Sequence, residues 1–318
     1  MSQEKIWLIG SGGMSVDYAK VLSSLQADVV VIGRGAASAQ AFMEKTGLPV
    51  VQGGLEAYLK SNPELPRAAI VSVGVEVLAE AVESLLVYGV QEIMVEKPGA
   101  LHGEQLGKIT ALARTKNARV KIAYNRRYYA ATLRALELIK EDGGVQSMQF
   151  EFTEWAHVIA PLKKALGVKE MMFIANSTHV VDLAFYLGGE PVELHALTSG
   201  KLDWHPASSV FVGAGRTNHG VLFSYHANWG APGRWGLEVL TSNYRLIFRP
   251  MESLQIMHKG SVKIEPVELD DRLDKDFKPG LYEQVRRFLT GEHEGFCTLE
   301  DQSRLWSTYC RMAGYPCQ

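Results

Sequence analysis

Cysteines and long apolar runs are scarce in this sequence. Cys297, Cys310 and Cys317 are its three cysteines, and an odd number without a Cys-x-x-Cys spacing argues against a disulfide framework or a structural zinc site. We therefore expect reduced thiols and no bound metal. No segment approaches the roughly 18 consecutive apolar residues that predict a membrane-spanning helix.

Charge of one sign is not in excess either, since 33 Lys and Arg residues nearly balance 35 Asp and Glu residues. A basic surface for nucleic acid or for an anionic membrane is therefore not expected. The N-terminal residues lack a basic stretch followed by a long apolar stretch, so the sequence predicts no secretory signal and a cytoplasmic protein. Hydrophobic residues amount to 47%, which is ordinary for a globular protein, and the length allows two domains.

Residues 1–125 alternate between short β-rich runs and helical stretches. Predicted strands such as Asp28–Gly33 are almost continuously apolar, which is typical of a parallel sheet buried on both faces. Alternation of this kind predicts right-handed βαβ units and a doubly wound parallel sheet, the Rossmann architecture. We therefore expect residues 1–125 to form an α/β domain of that type.

The pattern changes after Asn125. A series of strands lies between Pro191 and Val267, and their short turns contain Gly, Pro or Asn, which indicates an antiparallel sheet. Helical periodicity precedes this series and returns after it. Residues 126–318 are therefore predicted to form an α+β domain with a large, mainly antiparallel open sheet, serving substrate binding and oligomerisation.

A glycine-rich turn follows the first predicted strand, Ile6–Gly10. Gly10 permits a tight turn, and Gly12 lets the backbone approach a pyrophosphate at the start of the next helix. Such a turn can be purely structural, but its place at the first strand of a βα array favours dinucleotide binding. The predicted cofactor-binding residues in this turn are Gly10, Ser11, Gly12, Gly13 and Met14.

The end of the second predicted strand bears on which nicotinamide cofactor binds. NAD-specific sites usually carry an Asp or Glu there, which accepts a hydrogen bond from the ribose 2′-hydroxyl. This chain instead has Gly33-Arg34-Gly35, with no acid before Glu44. The Arg34 guanidinium offers planar donors for a 2′-phosphate, so the sequence favours NADP(H). NAD(H) is the alternative, with Arg34 as a solvated loop residue.

Another predicted strand, Glu92–Glu96, ends with the charged residue Glu96 and is followed by Lys97 and Pro98. Ligands of open α/β sheets bind beyond the carboxyl ends of the strands, so this position directs Lys97 towards the ligand crevice. A lysine beside a nicotinamide could donate to the reacting oxygen, and partial burial would lower its pKa towards working pH. Pro98 restricts the backbone of Lys97 and allows a cis bond. Taken alone, a Lys-Pro pair at a strand end is more often a surface loop.

Three motifs and the strand-rich second half resemble the glucose–fructose oxidoreductase/inositol dehydrogenase (Gfo/Idh/MocA) family over essentially the whole chain. The motifs are the glycine turn, Glu96-Lys97-Pro98 and Tyr124-Asn125-Arg126-Arg127. The resemblance implies that Lys97 lies near the nicotinamide and assists proton transfer, and that Glu96 supports the cofactor site. It also implies a homo-oligomer, because members of the family commonly form dimers or tetramers.

The resemblance further implies a second catalytic element. The family usually has Asp-x-x-x-His on a helix of the second domain, and residues 175–179 correspond to it here. His179 matches the histidine, and Asp182 matches a further acidic position. Ala175 stands where the family has its aspartate, a departure that removes the usual acid–base pair and keeps the histidine.

His179 is predicted to lie in the first turn of its helix. Asn176, Ser177 or Thr178 can cap that helix, and the positive helix end then favours a neutral imidazole able to accept a hydroxyl proton. Asp182 is one helical turn away and is placed to orient the ring. The alternative is a structural histidine on an amphipathic helix.

A second departure from the family follows the predicted strand Ala68–Val73. Relatives often have Thr-Pro-Asn-x-x-His there, whereas this chain has Val73-Gly74-Val75-Glu76. Gly74 still admits a cofactor closely, and we expect both Val73 and Gly74 to contact it. Because polar groups are fewer here, we expect an atypical pose of cofactor or substrate.

Aromatic side chains, imidazoles and an arginine are concentrated in the second domain: Trp155, His157, Trp204, His205, His226, Trp229, Arg234 and Trp235. Aromatic faces and imidazoles suit a sugar ring, although each residue alone is more often a packing or surface residue. Arg126 and Arg127 could bind a carboxylate or phosphate, which makes an anionic sugar a hypothesis beside the alternative of a charged helix start. The predicted substrate-binding residues are Asn125, Arg126, Arg127, Trp155, Asn176, His179 and Asp182.

The sequence thus predicts hydride transfer between NADP(H), or NAD(H), and a carbinol or carbonyl carbon of a sugar or sugar derivative. Lys97 and His179 are the predicted catalytic residues: in oxidation His179 takes the hydroxyl proton and Lys97 stabilises the same oxygen. Two alternatives remain, a non-catalytic NADP-binding regulatory protein and an NAD-assisted glycosidase on the same fold. The predicted partner is a small-molecule substrate, and neither nucleic acid nor a membrane is expected as a partner.

Overall fold

The computed structural model describes residues 5–316, and the alternation predicted for the N-terminal part is present. The strands of this part are β1 (Ile6–Ile9), β2 (Val29–Ile32), β3 (Val50–Val51), β4 (Ala68–Val71), β5 (Glu92–Glu96) and β6 (Arg119–Ala123). Its helices are α1 (Gly13–Ser24), α2 (Ala36–Thr46), α3 (Gly54–Lys60), α4 (Leu78–Tyr88) and α5 (Gly103–Thr115). Short 3₁₀ turns occupy Val75–Val77 and Asn125–Tyr128.

The central strand of the first sheet is β1, which pairs in parallel with β2 on one side and β4 on the other. Every residue of β1 and of β4 is buried, as expected for strands covered on both faces. The parallel strands follow the order β6-β5-β4-β1-β2-β3, with the short strand Cys297–Thr298 beside β6, so the chain reverses its direction across the sheet between β1 and β4. Open α/β sheets bind their ligands at such a switch point. The predicted doubly wound parallel sheet is confirmed.

The middle of the chain forms the second predicted sheet and three helices. The helices of this part are α6 (Ala130–Glu141), α7 (Ala156–Ile159) and α8 (Thr178–Gly188). Its strands are β7 (Ser147–Glu151), β8 (Pro191–Ser199), β9 (Val210–Thr217), β10 (Leu222–Asn228), β11 (Gly236–Leu240), β12 (Tyr244–Phe248), β13 (Gln255–His258) and β14 (Ile264–Pro266). The strand order is β14-β13-β12-β11-β7-β10-β9-β8. Its pairs are antiparallel apart from β7 with β10, so the prediction of a mainly antiparallel sheet is confirmed.

One face of this second sheet is apolar and the other is polar. In β10, Phe223 and Tyr225 are buried while Ser224 and His226 are exposed, the alternation expected of a half-covered sheet. The buried face packs aromatic rings together, and the Phe185 ring of α8 contacts Phe223 edge-on with centroids 5.2 Å apart. The core of this unit therefore lies between α8 and the sheet.

The last elements are α9 (Arg272–Asp276), α10 (Leu281–Thr290), β15 (Cys297–Thr298) and α11 (Leu299–Ala313). Their packing relates them to the first sheet. One compact unit ends at Asn125 and also takes in Leu273–Arg304, and the other comprises Arg126–Arg272 and resumes at Leu305. The reason is that β15 pairs antiparallel with β6 and α10 contacts α1. The compact units therefore divide the chain differently from the predicted ranges 1–125 and 126–318, which stay a prediction of domain roles.

Cys297 and Cys310 are buried thiols outside any disulfide, and Cys317 lies outside the described residues. Across residues 5–316, no helix combines the length and the apolar character needed to cross a membrane.

Candidate functional site

The glycine turn connects the end of β1 to the start of α1. Gly10 has φ of +121°, and a Cβ atom there would lie 2.5 Å from the carbonyl oxygen of Ser72, so only glycine fits. Gly12 and Gly13, by contrast, face open space. Among the described residues no side chain caps the start of α1, and its first turn carries no acidic residue. The N–H groups of this helix end are therefore available to an anion.

A groove of about 790 Å³ opens beyond the carboxyl ends of β1, β2 and β4. A 2.8 Å hydrogen bond between the hydroxyls of Ser15 and Ser72 ties the start of α1 to the end of β4 beneath it. The predicted cofactor-binding residues that line the groove are Gly10, Ser11, Gly12, Gly13, Met14, Arg34, Val73 and Gly74. The size, the glycines and the uncapped helix end fit a dinucleotide.

Several residues line this groove that the sequence analysis did not identify: Ser38, Gly53, Gly54, Glu56, Glu76 and Glu80. Glu56 lies in the first turn of α3, a seven-residue helix without buried residues and hence without an apolar period. Gly53 precedes this helix and Gly54 begins it; both have positive φ, and this pair of glycines was the signal in the sequence for a turn there. Because acidic residues were considered only as far as Glu44, no prediction was made for Glu56.

Arg34 is exposed and lies two residues beyond the end of β2. A Cβ atom on Gly54 would lie 3.5 Å from the Cβ and Cγ atoms of Arg34, so the arginine stem packs against that glycine. Ser38, in the first turn of α2, accepts a 3.0 Å hydrogen bond from Ser11 and donates one of 3.0 Å to the carbonyl oxygen of Gly35. This end of the groove therefore presents a guanidinium and hydroxyl groups, with the Glu56 carboxylate as its acid.

Lys97 follows the last residue of β5 at the ligand-binding edge of the sheet. Val71 of β4 pairs with Val95 of β5, so Val73 and Lys97 each lie two residues beyond that pair. In the described part of the chain, the lining of the groove includes Val73 but neither Glu96 nor Lys97. The peptide bond between Lys97 and Pro98 is cis, as the sequence allowed.

Glu96 is held by a buried tyrosine of α1. The Tyr18 hydroxyl donates a 2.7 Å hydrogen bond to Oε1 of Glu96. Burial raises the pKa of the Glu96 carboxyl, although the Tyr18 hydrogen bond and the charges of Lys97 and Lys278 act in the opposite direction. Burial also raises the pKa of the Tyr18 hydroxyl, which stays a hydrogen-bond donor at neutral pH. Tyr18 was not identified from the sequence, where it reads as one apolar position of an amphipathic helix.

Asn125 belongs to the first unit, and its amide is used within that unit. Its Nδ2 donates a 3.0 Å hydrogen bond to the carbonyl oxygen of Pro279, in the loop between α9 and α10. The side chain is buried. The structure therefore gives Asn125 a part in holding the returning segment, which the sequence could not indicate.

Arg127 and Asp182 form a buried two-point ion pair in the second unit. Nε of Arg127 lies 2.8 Å from Oδ2 of Asp182, and Nη2 lies 2.6 Å from Oδ1. Their side chains are 9% and 2% exposed, and the Arg127 guanidinium also stacks over the Tyr186 ring. Both oxygens of Asp182 thus accept hydrogen bonds from Arg127, which ties α8 to the turn before α6.

The start of α8 differs from the prediction. A π-helical turn, Phe173–Ser177, runs directly into the helix, and Ser177 has helical backbone angles and no capping hydrogen bond. Asn176 and Ser177 instead donate 3.0 and 2.8 Å hydrogen bonds to Oε1 of Glu154. The expected side-chain cap is therefore wrong, because the preceding turn is already helical. His179 therefore does not lie at a free helix end that would favour its neutral form.

His179 and three further predicted residues lie in one region of the second unit. The buried His179 ring is 6.0 Å from the Trp235 ring. Arg126 stacks on Trp235, and Trp155 lies under the Arg234 guanidinium, with distances from Cζ to ring centroid of 4.6 and 4.8 Å. Asn176 reaches this region through Glu154, since Nη1 of Arg234 is 3.9 Å from Oε2 of Glu154.

Glu154 had no signal in the sequence, because an isolated acid after a strand resembles any solvated loop residue. Its side chain is 2% exposed. Arg234 and Trp235 were noted only as members of an aromatic-rich region. They directly precede β11, whose pairing with β7 sets Gly236 opposite Glu151, and the fold brings Trp235 to Arg126 and His179.

The fold and the groove define the class of a dinucleotide-binding Rossmann protein with a second, sheet-based domain. Residues 5–124 match the model of GFO_IDH_MocA, an oxidoreductase family with an NAD-binding Rossmann fold. The match covers residues 5–124 of the 318-residue chain and agrees with the resemblance noted from the motifs. No curated protein matches the sequence.

Solved structures share the fold over nearly the whole chain at low sequence identity. Levoglucosan dehydrogenase, in complex with NADH and L-sorbose, is 18% identical with a TM-score of 0.78, covering 99% of this chain and 97% of its own. UDP-N-acetylglucosamine 3-dehydrogenase from Acidithiobacillus ferrooxidans is 16% identical with a TM-score of 0.75, covering 99% and 98%. The WlbA dehydrogenase from Chromobacterium violaceum, in complex with NADH and UDP-GlcNAcA, is 15% identical with a TM-score of 0.74, covering 98% and 93%.

Proposed function

We propose that this chain is an NAD(P)-dependent oxidoreductase that transfers a hydride between the nicotinamide and a carbinol or carbonyl carbon of a sugar or sugar derivative. The observation that carries the proposal is the uncapped start of α1 behind Gly10 and Gly12, opening on a dinucleotide-sized groove. The names of structurally similar proteins, which are sugar dehydrogenases crystallised with NADH, support the substrate class. The bound cofactor would supply the hydride acceptor or donor.

The proposed roles of the protein groups follow from the chemistry of alcohol oxidation. As the carbinol carbon gives up its hydride, the hydroxyl loses a proton and the C–O bond becomes a carbonyl. His179 is proposed to accept that proton, and Lys97 to donate a hydrogen bond to the same oxygen. In reduction each group acts in reverse. Glu96, fixed by Tyr18, is proposed to support the Lys97 end of the cofactor site.

The preferred cofactor is proposed to be NADP(H). Arg34 presents planar donors at the end of β2, where a 2′-phosphate would lie, and the first turn of α2 carries no acid. Glu56 is the group that could instead accept from a ribose 2′-hydroxyl, which keeps NAD(H) as the alternative. Gly10 to Met14, Val73 and Gly74 are proposed to contact the rest of the dinucleotide.

Self-association through the exposed face of the second sheet is proposed as well. Leu197 and Val212 are paired neighbours on this face and are 75% and 47% exposed. Exposed apolar groups in one patch are typical of an interface. A homodimer or homotetramer is therefore the proposed assembly, and light scattering of the purified protein and of Leu197→Lys measures it.

The decisive experiment is turnover of the purified chain with NADP⁺ and NAD⁺ on a panel of sugars, followed by nicotinamide absorbance. Lys97→Met and His179→Ala should each lower kcat about 10² to 10⁴-fold, the usual contribution of general acid–base groups, while cofactor affinity changes little. Lys108→Met is the matched control, since this exposed lysine of α5 pairs only with Glu83 at the surface.

The outcomes separate the candidate functions. Full activity in either variant contradicts the role given to that residue. Cofactor binding without turnover of any sugar points to a regulatory protein, and sugar cleavage without net change in nicotinamide points to a glycosidase.

A further inference from the structure

Two guanidinium groups converge on one indole ring in the second unit. Cζ of Arg126 lies 4.6 Å and Cζ of Arg234 lies 4.7 Å from the centroid of Trp235. Arg234 also stacks on Trp155, and Arg126 on Tyr129 at 5.7 Å. The face of the indole ring attracts each guanidinium. With both guanidinium groups on one ring, two positive charges lie close together and repel each other.

Among the residues that the structure describes, none accepts a hydrogen bond from the Arg126 side chain. Across residues 5–316 its guanidinium makes neither a hydrogen bond nor an ion pair, and its Nε atom is buried. Nε1 of Trp235 is likewise buried without an acceptor. Buried donors normally have partners, because leaving them without one costs free energy. Burial lowers the pKa of Arg126, and the charge of Arg234 lowers it further.

The neighbouring carboxylates do not fill this role. Glu154 is buried, accepts hydrogen bonds from Asn176 and Ser177, and lies 3.9 Å from Nη1 of Arg234; its charge attracts Arg126 without a hydrogen bond to that guanidinium in residues 5–316. Glu252 attracts Arg126 electrostatically from an exposed position, with no ion pair between them in the described part of the chain. Both carboxylates therefore leave the donors of Arg126 unsatisfied.

The next residue along the chain shows the contrast. Arg127 has its anion built into the protein, since Asp182 engages two of its nitrogens inside the unit. Arg126, one residue earlier, stacks on aromatic rings and keeps its donors unused. The pair Arg126 and Arg127, equivalent in the sequence, thus separates into a structural arginine and one with capacity for a ligand.

We propose that Arg126 and Arg234, held on Trp235, bind an anionic group of the substrate, a carboxylate or a phosphate carried on a sugar-like ring. A guanidinium suits such a group because its planar N–H donors match two oxygen acceptors. The His179 ring, 6.0 Å from that of Trp235, adjoins this anion site. The inference rests on the proposed function and names an acidic sugar as its substrate class.

Binding can be measured apart from turnover, because Trp235 and Trp155 lie in the site. Titration of tryptophan fluorescence with D-glucuronate, D-glucose 6-phosphate and D-glucose should show at least one acid binding tenfold or more tightly than D-glucose. Added salt should weaken acid binding and leave D-glucose unaffected. The two acids distinguish a carboxylate from a phosphate as the recognised group.

Arg126→Gln and Arg234→Gln should each weaken binding of the preferred acid about tenfold or more, since each removes charge-assisted hydrogen bonds. Neither should change binding of D-glucose. Arg134→Gln is the matched control, because Arg134 of α6 pairs with Glu137 at the surface. Arg126→Lys, which keeps the charge and loses the planar donors, should fall between wild type and Arg126→Gln. Arg234 is half exposed, so its variant tests the site even where substitution of Arg126 impairs folding.

The inference and the proposed function fail separately. Equal affinity for the acids and D-glucose, or acid binding unchanged in both glutamine variants, overturns the anion site even where sugars are oxidised. Arginine-dependent acid binding without turnover of any sugar overturns the oxidoreductase and leaves the anion site standing.

Discussion

The groove of the first unit and the arginine–tryptophan region of the second are built from different parts of the chain. The groove is made largely of backbone: glycines, an uncapped helix end and the carboxyl ends of parallel strands. The second region is made of side chains from four separate segments, around residues 126, 154, 176 and 235. A backbone site is therefore encoded locally, whereas a side-chain site depends on which distant residues the sheet brings together.

The largest effect should come from breaking the side-chain construction of the second unit. Asp182→Ala should lower the free energy of unfolding by about 3–5 kcal/mol, because it leaves the Arg127 charge buried without its partner. Arg134→Ala, which removes a surface ion pair, should change it by about 0–1 kcal/mol. Urea unfolding measures both. Equal small losses would show that the buried pair does not hold α8 in place.

The glycine turn should respond in two different ways. Gly10→Ala should lower the free energy of unfolding by about 2–4 kcal/mol, since an alanine there adopts a strained positive φ and meets the Ser72 carbonyl. Gly12→Ala should leave stability within about 0.5 kcal/mol, because a Cβ atom there meets open space and φ is −88°. Both should weaken cofactor binding, Gly12→Ala by obstructing the pyrophosphate. Thermal unfolding with and without NADPH separates the two cases, and undiminished binding in Gly12→Ala would contradict the placement of the pyrophosphate.

A smaller effect is expected where the groove uses a side chain. Arg34→Gln should weaken NADPH binding about tenfold, which corresponds to roughly 1.4 kcal/mol, and leave NADH binding unchanged. Arg114→Gln, an exposed arginine of α5, is the control. Equal affinities for NADPH and NADH in the unaltered protein would instead favour Glu56 as the group that reads the ribose.

Local patterns account for what the sequence predicts well. The first sheet follows from continuously apolar strands separated by helical periods, and the glycine turn follows from a few adjacent residues. The fold and most of the groove were therefore predictable. Elements too short to show a period were missed, namely β3 with two residues, β15 with two and α3 with seven.

Long-range pairing accounts for what the sequence could not predict. Nothing near Arg127 indicates that Asp182, 55 residues later, neutralises it, so the two arginines after Asn125 look alike. The π-helical turn before α8 is equally hidden, because its polar residues are the ones that usually cap a helix. Their hydrogen bonds go to Glu154, more than twenty residues away, rather than to the backbone.

The antiparallel strand β15 also decides where this chain can be divided. Cys297 and Thr298 pair with Ile122 and Lys121 and so cover one side of β6. A fragment stopped at Asn125 would keep every glycine of the nucleotide groove but would present that side of β6 as an open row of N–H and C=O groups, a template for aggregation. A shortened version intended to remain monodisperse therefore has to carry the late segment with it, through a designed linker in place of the second sheet.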